Sequence, residues 1–430
     1  MNMDSKVPEI RFNGFNGEWV YKKLQDLADK GFSNGVFNDP QKVGKGYRLI
    51  NVKDMYTGDS INIDNLSLVD IDEKEFKNNK VEYGDIFFTR SSLVREGIAY
   101  SNVNLSVRND ITFDGHLIRM QPCKATTDPV FLAYLFKTSS ARKQFILGGK
   151  TTTMTTIGQS DIAVVELAQP DKPEQTQIGS YFQKLDALLN QHQQKHDKLS
   201  SIKKAMLEKV FPKSGETIPE IRFKGFCGEW EKKPFGSCFV NVPNNTLSRA
   251  DLNYKTGLAK NIHYGDVLIK FGEVLDATNE LLPFITNNDV ANKLKHAALR
   301  DGDIIIADAA EDNMVGKCTE LFNINEQLIL SGLHTIAVRP TLPFASKYLG
   351  YYLNSSSFHD QLLSLMQGTK VLSISKTAIQ NTNVGFPKSV EEQAAIGNYF
   401  QKLDNLINRH QQQITKLNNI KQACLSKMFV

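Results

Sequence analysis

The stretch Tyr181-Phe-Gln-Lys-Leu-Asp186 occurs a second time, unchanged, as Tyr399-Phe-Gln-Lys-Leu-Asp404, 218 positions further along the chain. The match extends to both sides, since Glu174-Gln175 and His192-Gln-Gln194 return as Glu392-Gln393 and His410-Gln-Gln412. A repeat of this length does not arise by chance, so the chain is an internal duplication. Two copies are too few for a solenoid, and the duplication therefore predicts two-fold pseudo-symmetry.

Both copies of this stretch have the spacing of a long helix. Apolar residues follow Ile178 at Phe182, Leu185 and Leu189, in steps of four and three. This heptad-like seam favours packing against another helix, and the obvious partner of each helix is the other one. Ser389 with Glu392 forms a capping-box signal at the second helix start. A helix of about 38 residues would span roughly 57 Å.

A second repeat lies at the beginning of each half. Val7-Pro-Glu-Ile-Arg-Phe-Asn-Gly-Phe-Asn-Gly-Glu-Trp19 returns as Ile218-Pro-Glu-Ile-Arg-Phe-Lys-Gly-Phe-Cys-Gly-Glu-Trp230. Between the matched ends the halves diverge, although Gly84-Asp85-Ile86 still corresponds to Gly302-Asp303-Ile304. The divergent centres contain short β-branched runs bounded by Gly, Asp or Pro, which are typical of strands, and segments of helical spacing. They predict one fold that carries two different surfaces.

The predicted fold class is α+β, with two mixed α/β domains separated by two long antiparallel coiled-coil helices. The predicted boundaries are 1–170 for the first domain, 171–217 for a central spacer helix and linker, 218–387 for the second domain and 388–430 for a C-terminal spacer helix.

Composition narrows the class of protein. Hydrophobic residues make up 41% and charged residues 23%, as in folded soluble proteins. We expect no membrane span and no signal peptide, and hence a cytoplasmic protein. The net charge of +4 permits nucleic-acid binding without requiring it. The five cysteines are scattered and predict neither disulfides nor a zinc site.

The sequence lacks a recognisable catalytic motif. Gly148-Gly-Lys-Thr-Thr152 imitates the end of a phosphate-binding loop, but Gln144 stands where the first glycine is required. No Ser/His/Asp or Cys/His set and no metal-ligand spacing is evident. We therefore predict no catalytic residue, no metal site and no enzymatic activity of its own.

Two variable domains, each followed by a nearly identical long helix, resemble the specificity subunits of type I restriction-modification systems. The resemblance covers nearly the whole chain and rests on the Gly-Asp-Ile motif and on the helix starts. In the first half the helix start comprises Pro173, Glu174-Gln175, Ile178 and Leu185-Asp186; in the second it comprises Glu392-Gln393, Ile396 and Leu403-Asp404. No single motif is highly specific, but their duplicated order is.

The resemblance implies a non-catalytic subunit that recognises an asymmetric bipartite site in double-stranded DNA. Each domain would read one half-site, and the helices would set the gap between them. It implies two methylation subunits and, in the full complex, two restriction subunits as partners. This chain would bind no cofactor; S-adenosylmethionine belongs to the methylation subunit, and ATP and Mg to the restriction subunit.

Positively charged and hydroxyl side chains on loops are the natural readers of phosphates and bases. The predicted DNA-binding residues are Arg90, Ser91, Ser92, Arg95, Lys150, Thr151, Thr152, Lys260, Lys270, Lys370, Ser373 and Lys376. Lys53 and His263 are weaker candidates, and His116 and His334 are interpreted as core or turn histidines. The predicted partner-binding residues, identical in both helices, are Gln183, Lys184, Asp186, Gln401, Lys402 and Asp404.

Two other classes of protein remain open at this point. The first is a stand-alone DNA-binding scaffold or regulator without enzymatic partners, against which the duplicated helix surface argues. The second is an enzyme, such as a methyltransferase or nuclease, with its site hidden in one variable domain. Stoichiometric cofactor binding by the isolated chain would favour the enzyme.

Overall fold

The computed structural model describes residues 6–37 and 40–430. The elements of the first half are β1 Val20–Lys23, β2 Ala28–Asn34, β3 Val43–Ile50, β4 Ser67–Val69, α1 Glu73–Asn79, β5 Ile86–Thr89, β6 Ser91–Ser92, β7 Ser101–Val103, β8 Ile111–Phe113, β9 Leu117–Pro122, α2 Pro129–Leu135, α3 Ser139–Gly148, β10 Lys150–Thr151, β11 Thr155–Thr156, α4 Gln159–Ala163, β12 Glu166–Gln169 and α5 Lys172–Lys209. Those of the second half are β13 Glu231–Pro234, α6 Phe235–Cys238, β14 Phe239–Val242, β15 Leu252–Asn253, β16 Lys260–Ile262, α7 Tyr264–Ile269, β17 Val274–Asp276, β18 Phe284–Ile285, α8 Asn288–Lys293, β19 Ile304–Ala307, β20 Ala309–Ala310, β21 Cys318–Phe322, β22 Ile329–Ser331, β23 Thr335–Pro340, α9 Tyr348–Asn354, α10 Ser356–Leu363, β24 Leu372–Ser373, α11 Lys376–Gln380, β25 Asn383–Phe386 and α12 Val390–Lys427.

These elements form two compact units. Unit 1 comprises the residues up to Gln193 together with Gln412–Val430, and unit 2 comprises Gln194–Gln411. Each unit therefore contains the first part of one long helix and the last part of the other. The duplicated stretches of sequence supply the same parts to each unit.

The largest sheet of unit 1 has a buried central strand, β5. One sheet has the order β2-β9-β5-β7, a second has the order β4-β3-β8, and β1 pairs with β12. Every residue of β5 is buried, which explains its continuous apolar run. Its Phe88 packs against Phe136 and Phe145 of the neighbouring helical segment, with ring centroids 5.3 and 5.5 Å away.

Unit 2 repeats this plan with larger sheets. Its sheets have the orders β14-β23-β19-β21-β17 and β15-β18-β16-β22, and β13 pairs with β25 as β1 pairs with β12. The fully buried strand β19 takes the place of β5. Gly84 and Gly302 precede β5 and β19 at φ +89° and +84°, a region that glycine enters without strain. The Gly-Asp-Ile motif is therefore a turn that starts the central strand.

Helices α5 and α12 each contain 38 residues. They run antiparallel in unit 1, because the Tyr181 hydroxyl lies 3.6 Å from Cys424 Sγ and Lys421 Nζ lies 2.6 Å from an Asp186 carboxylate oxygen. In unit 2, Lys203 of α5 pairs in the same manner with Asp404 of α12, also at 2.6 Å. The predicted fold class, with mixed α/β units and long antiparallel helices, is confirmed.

The apolar seam of each helix has a wider role than the sequence indicated. In unit 1, Phe182 stacks on Tyr134 of α2 at 4.8 Å and also contacts Phe429 after the end of α12. Phe429 in turn contacts Trp19 and Phe131. The seam thus packs into the domain core as well as against the other helix. This is because apolar residues of α2 contact the same face of α5 as the other long helix does.

The repeated segment before each domain is held by an ion pair. Arg11 binds Glu174 at 2.7 Å, and Arg222 binds Glu392 at 2.7 Å; both glutamates are buried at the helix starts. Ser389 caps α12 as predicted, with its hydroxyl 3.2 Å from the Glu392 backbone nitrogen. The Glu392 carboxylate, however, binds Arg222, so it does not complete a reciprocal capping box. These contacts explain why both Arg and Glu recur.

Candidate nucleic-acid interface

A small sheet in unit 1 joins two of the segments that the sequence singled out. Strand β11 pairs with β10 on one side and with β6 on the other. Thr155 lies opposite Ser92, and Thr156 lies opposite Ser91 and Lys150. The predicted residues of the 90–92 and 150–152 segments therefore share one surface, although about sixty residues separate them in sequence.

The turn that carries Arg95 is held in place by hydrogen bonds from α3. Arg142 of α3 donates hydrogen bonds to the carbonyl oxygens of Glu96, Ile98 and Ala99, at 2.6 to 2.8 Å. Burial lowers the pKa of this guanidinium, and the three carbonyls satisfy its donors. The exposed Arg95 is consequently presented on a well-supported turn beside the small sheet.

The outward side chains of this sheet are cationic or carry hydroxyl groups. Arg90, Arg95, Lys150, Thr151 and Thr152 are exposed, whereas Ser91 and Ser92 are half-buried. Lys150 makes a long ion pair, 3.6 Å, with Asp161. Such donors can bind phosphate oxygens and acceptor atoms at base edges. We call this surface, with its counterpart in unit 2, the small-sheet patch.

The counterpart in unit 2 is built on the same backbone frame. Strand β20 pairs with β24, placing Ala310 opposite Leu372 and Ala309 opposite Ser373. Lys370, Ser373 and Lys376 are exposed around this pair. Ser375 caps α11, so Lys376 is the first residue of that helix, and its amino group lies 3.0 Å from Asn244 Oδ1.

The two small-sheet patches carry residues of opposite charge, Arg90 and Asp308, at equivalent backbone positions. In unit 1 the Arg90 nitrogen donates to the His116 carbonyl at 3.2 Å, and the Arg90 carbonyl accepts from Ile157 at 3.0 Å. In unit 2, Asp308 makes both equivalent bonds, with His334 at 3.1 Å and Ile374 at 2.9 Å. Burial raises the pKa of Asp308 against the effect of His334. One backbone arrangement thus presents an arginine in one unit and an aspartate in the other.

Two predicted DNA-binding lysines of unit 2 lie outside the small-sheet patch. Lys260 belongs to the β15-β18-β16-β22 sheet, and its amino group is 2.5 Å from Gln327 Oε1. Lys270 follows α7 and donates to the Leu281 carbonyl. The structure does not bring these residues to the β20–β24 pair.

A polar pair lies at the edge of each patch, and of these four residues sequence reasoning found only Lys376. Gln159, the first residue of α4, lies 2.6 Å from Asn34 Oδ1 and occupies the place that Lys376 has beside Asn244. The capping positions Gly158 and Ser375 mark these helix starts. The asparagines come from distant segments, and no local pattern connects them with the helices.

The predicted partner-binding residues have two different environments. Gln183, Lys184 and Lys402 are exposed, and Gln401 is half-buried. Asp186 is buried, where it accepts a hydrogen bond from Tyr134 and pairs with Lys421. Asp404 is bound by Lys203 and by the Tyr351 hydroxyl, at 2.6 Å each. Both aspartates therefore have intrachain contacts that account for their identity in the two helices.

Each lysine of these clusters pairs with a second carboxylate. Lys421 also pairs with Asp59 at 2.9 Å, and Lys203 also pairs with Glu273 at 2.7 Å. Burial opposes the charge on each lysine, but the adjacent carboxylates raise the pKa of both. Burial raises the pKa of Asp186 and of Asp404. Each cluster ties two helix segments to one domain.

Two further features of the described part of the chain bear on function. Within residues 6–37 and 40–430, no three His, Cys, Asp or Glu side chains converge to hold a metal ion. In the same ranges, no helix combines the length and apolar character needed to cross a membrane.

The fold and its two patches define an internally duplicated protein that presents unlike polar surfaces on one repeated scaffold. The family described as Type I restriction modification DNA specificity domain matches residues 16–201 and 260–419, well over half of the chain. The chain therefore belongs to this family of type I restriction-modification specificity subunits.

Individual relatives agree with this assignment. The chain is 22% identical, over 303 residues and 69% of either protein, to the type I restriction enzyme MjaVIII specificity subunit of Methanocaldococcus jannaschii. It is 22% identical over 198 residues to the putative MjaX specificity subunit of the same organism, and that match spans 46% of either protein. The crystal structure of the type I restriction-modification S subunit from M. genitalium has a similar fold, with a TM-score of 0.56, 14% identity and 99% coverage of both chains.

Proposed function

We propose that this chain directs a type I restriction-modification complex to an asymmetric bipartite DNA sequence. The observation that carries the proposal is the pair of small-sheet patches, in which one backbone frame presents Arg90 in unit 1 and Asp308 in unit 2. Arginine donates to guanine and phosphate acceptors, whereas a carboxylate at the same place accepts hydrogen bonds and donates none. Unlike side chains on like frames favour two half-sites of different sequence.

The domains at 1–170 and 218–387 would each read one half-site, and α5 and α12 would set the number of unread base pairs between them. Two reading elements that are linked rigidly recognise sites at a fixed spacing, as dimeric DNA-binding proteins do. Arg90, Ser91, Ser92, Arg95 and Lys150–Thr152 are the proposed DNA contacts of unit 1. Lys370, Ser373 and Lys376 are those of unit 2.

The duplicated helix surface would bind the enzymatic partners. Gln183 and Lys184 of α5 recur as Gln401 and Lys402 of α12, so one partner surface is offered twice. This supports two methylation subunits, which would hold S-adenosylmethionine and flip the target adenine out of the duplex. Two restriction subunits, which use ATP and Mg, would complete a cytoplasmic complex in which this chain is not catalytic and binds no cofactor of its own.

The test is to express the chain with its cognate methylation subunit in a host without DNA methylation. Sequencing of the modified adenines should reveal one asymmetric bipartite motif that is methylated in both halves. A matched culture without this chain should show no such motif. A soluble complex that leaves the DNA unmodified would contradict the proposal and favour a scaffold or regulator without enzymatic partners.

A further inference from the structure

An exposed histidine stands at the edge of each small-sheet patch. His116 precedes β9 and His334 precedes β23, at positions that correspond in the duplication. Their side chains are 64% and 53% exposed, so neither is a core residue. Their carbonyl oxygens accept the hydrogen bonds from Arg90 and Asp308 already described. The backbone of each histidine is therefore bonded to the backbone of the central residue of its patch.

Each ring is oriented by a carboxylate at the same nitrogen. His116 Nδ1 lies 2.7 Å from Asp114 Oδ1, and His334 Nδ1 lies 3.2 Å from Asp308 Oδ1. Asp114 is buried and also accepts from the His116 backbone nitrogen at 2.6 Å. A carboxylate at Nδ1 fixes the ring and leaves Nε2 as the contacting atom.

The two carboxylates come from positions that do not correspond. Asp114 belongs to the turn of His116, and the matching residue of unit 2 is Gly332. Asp308 follows β19, where unit 1 has Arg90. The same ring orientation is thus achieved twice with different residues, in domains whose surfaces otherwise diverge. The orientation of the imidazole is the same in both units although a different carboxylate holds it. This indicates that the ring itself has a function.

The surroundings leave Nε2 available to an outside group. In residues 6–37 and 40–430, no hydrogen bond involves Nε2 of His116 or His334. The His334 ring packs edge-on against Tyr264, at 5.3 Å between centroids, which limits its rotation. With Nδ1 donating to the carboxylate, a neutral ring presents Nε2 as an acceptor. Adenine N6 and cytosine N4 amino groups are the matching donors in the major groove.

We propose that His116 and His334 are specificity-determining residues, each contacting a base edge of its own half-site through Nε2. Asp114 and Asp308 are positioning residues that aim the rings. The inference rests on the proposed function, since it requires that the chain reads DNA, and it adds a residue to each reading surface.

The test uses the full chain in complex with its cognate methylation subunit. The probes are duplexes that carry the motif methylated by the wild-type complex, each with one base pair exchanged. Against these probes, His116→Ala and His334→Ala are compared with the wild type and with His296→Ala, an exposed histidine that lies 3.0 Å from the Lys293 carbonyl. Assembly and thermal unfolding are measured in parallel to confirm that each variant is folded.

We expect the wild type to bind about tenfold more weakly when a contacted base pair is exchanged. His334→Ala should lose this discrimination at one base pair of one half-site, and His116→Ala should lose it in the other half-site. Asp308→Asn should weaken the same discrimination that His334→Ala abolishes, whereas His296→Ala should behave as the wild type.

Three outcomes are decisive. Discrimination identical to the wild type in both histidine variants would overturn this inference alone. A uniform loss of affinity for all sequences would also overturn it, because that result indicates a phosphate contact. Failure of the wild-type complex to methylate any specific sequence, so that no probe motif exists, would instead refute the proposed function.

Discussion

At the scale of single residues, the small-sheet patches differ most clearly at Arg90 and its counterpart Asp308. We expect Arg90→Ala and Lys150→Ala each to weaken DNA binding, because each removes an exposed cation next to the duplex. For every phosphate that the variant no longer neutralises, the slope of log affinity against log salt should decrease by about 0.9. Binding isotherms at several salt concentrations measure this slope. Lys22→Ala, an exposed lysine on β1, is the matched control.

An unchanged slope for both Arg90→Ala and Lys150→Ala would remove these residues from the interface. A loss of affinity confined to one base pair of the site, with the slope preserved, would identify a base contact instead.

The carboxyl group of Glu320 predicts a pH dependence of stability. Its oxygens accept from the Lys347 and Gly350 nitrogens at 2.5 and 2.8 Å, yet burial raises its pKa from 4.5 to about 7. Between these values the folded state binds more protons than the unfolded state, so stability must fall as pH rises. The loss is about 3 kcal/mol in total, and it levels off as pH rises above the folded pKa of about 7.

Urea unfolding at pH 5 and pH 8 tests this dependence. Glu320→Gln should flatten it and also lower stability, because an amide NH₂ would face a backbone N–H. Glu326→Gln, at an exposed position, should leave the dependence as in the wild type. The same pH dependence in Glu320→Gln would assign the effect to another group.

At the scale of elements, the half-buried lysine clusters hold segments of the long helices to the domains. Lys421→Met should leave Asp186 and Asp59 without their cation, and Lys203→Met should do the same to Asp404 and Glu273. Breaking a fully buried pair by removing one partner costs about 3–5 kcal/mol and breaking an exposed one about 0–1 kcal/mol, so these half-buried pairs should lose about 1–3 kcal/mol. Urea unfolding should show a loss of this size for both variants and almost none for Lys416→Met, on an exposed position of α12.

The lysines of these clusters affect stability at alkaline pH, whereas Glu320 affects it between about pH 4.5 and pH 7. Because the pKa of Lys421 and of Lys203 is raised, their contribution is complete below 10.5 and is lost as pH rises through the higher folded values. Equal unfolding midpoints for Lys421→Met and Lys416→Met would show that the cluster does not stabilise unit 1.

At the scale of the whole molecule, the proposed spacing role of the helices predicts a change in the recognised sequence. The test variant carries seven residues inserted after Leu189 of α5 and seven inserted after Leu417 of α12. Equal insertions in both helices preserve the antiparallel pairing set by Asp186 and Lys421. The helices gain about 10 Å, and a full heptad nearly restores the helix face. At about 3.4 Å per base pair, we expect the unread gap to grow by about three.

Methylation sequencing of the variant measures the gap directly. Insertion in α5 alone should disturb the pairing and reduce assembly. An unchanged motif from a well-assembled double-insertion variant would exclude the helices as the element that sets the gap.

The sequence alone determined the duplication, the long helices and the turn that starts each central strand. These features are encoded locally: heptad spacing from Ile178, a capping serine at 389 and a glycine at 84 each constrain the backbone through neighbouring residues. The proximity of the 90–92 and 150–152 segments is different, because it depends on strand pairing across about sixty residues. No local pattern specifies such a pairing.

Only the tertiary structure decided what the repeated polar residues do. Asp186 and Asp404 have the sequence signature of a shared partner surface, yet they bind lysines from the other long helix, 2.6 Å away. The sequence favours a core or turn role for His116 and His334; both lie in turns, and the structure adds that their rings are exposed and oriented by carboxylates at non-corresponding positions. A side chain's environment is set by segments far away in sequence, whereas its residue type and spacing constrain only the local backbone.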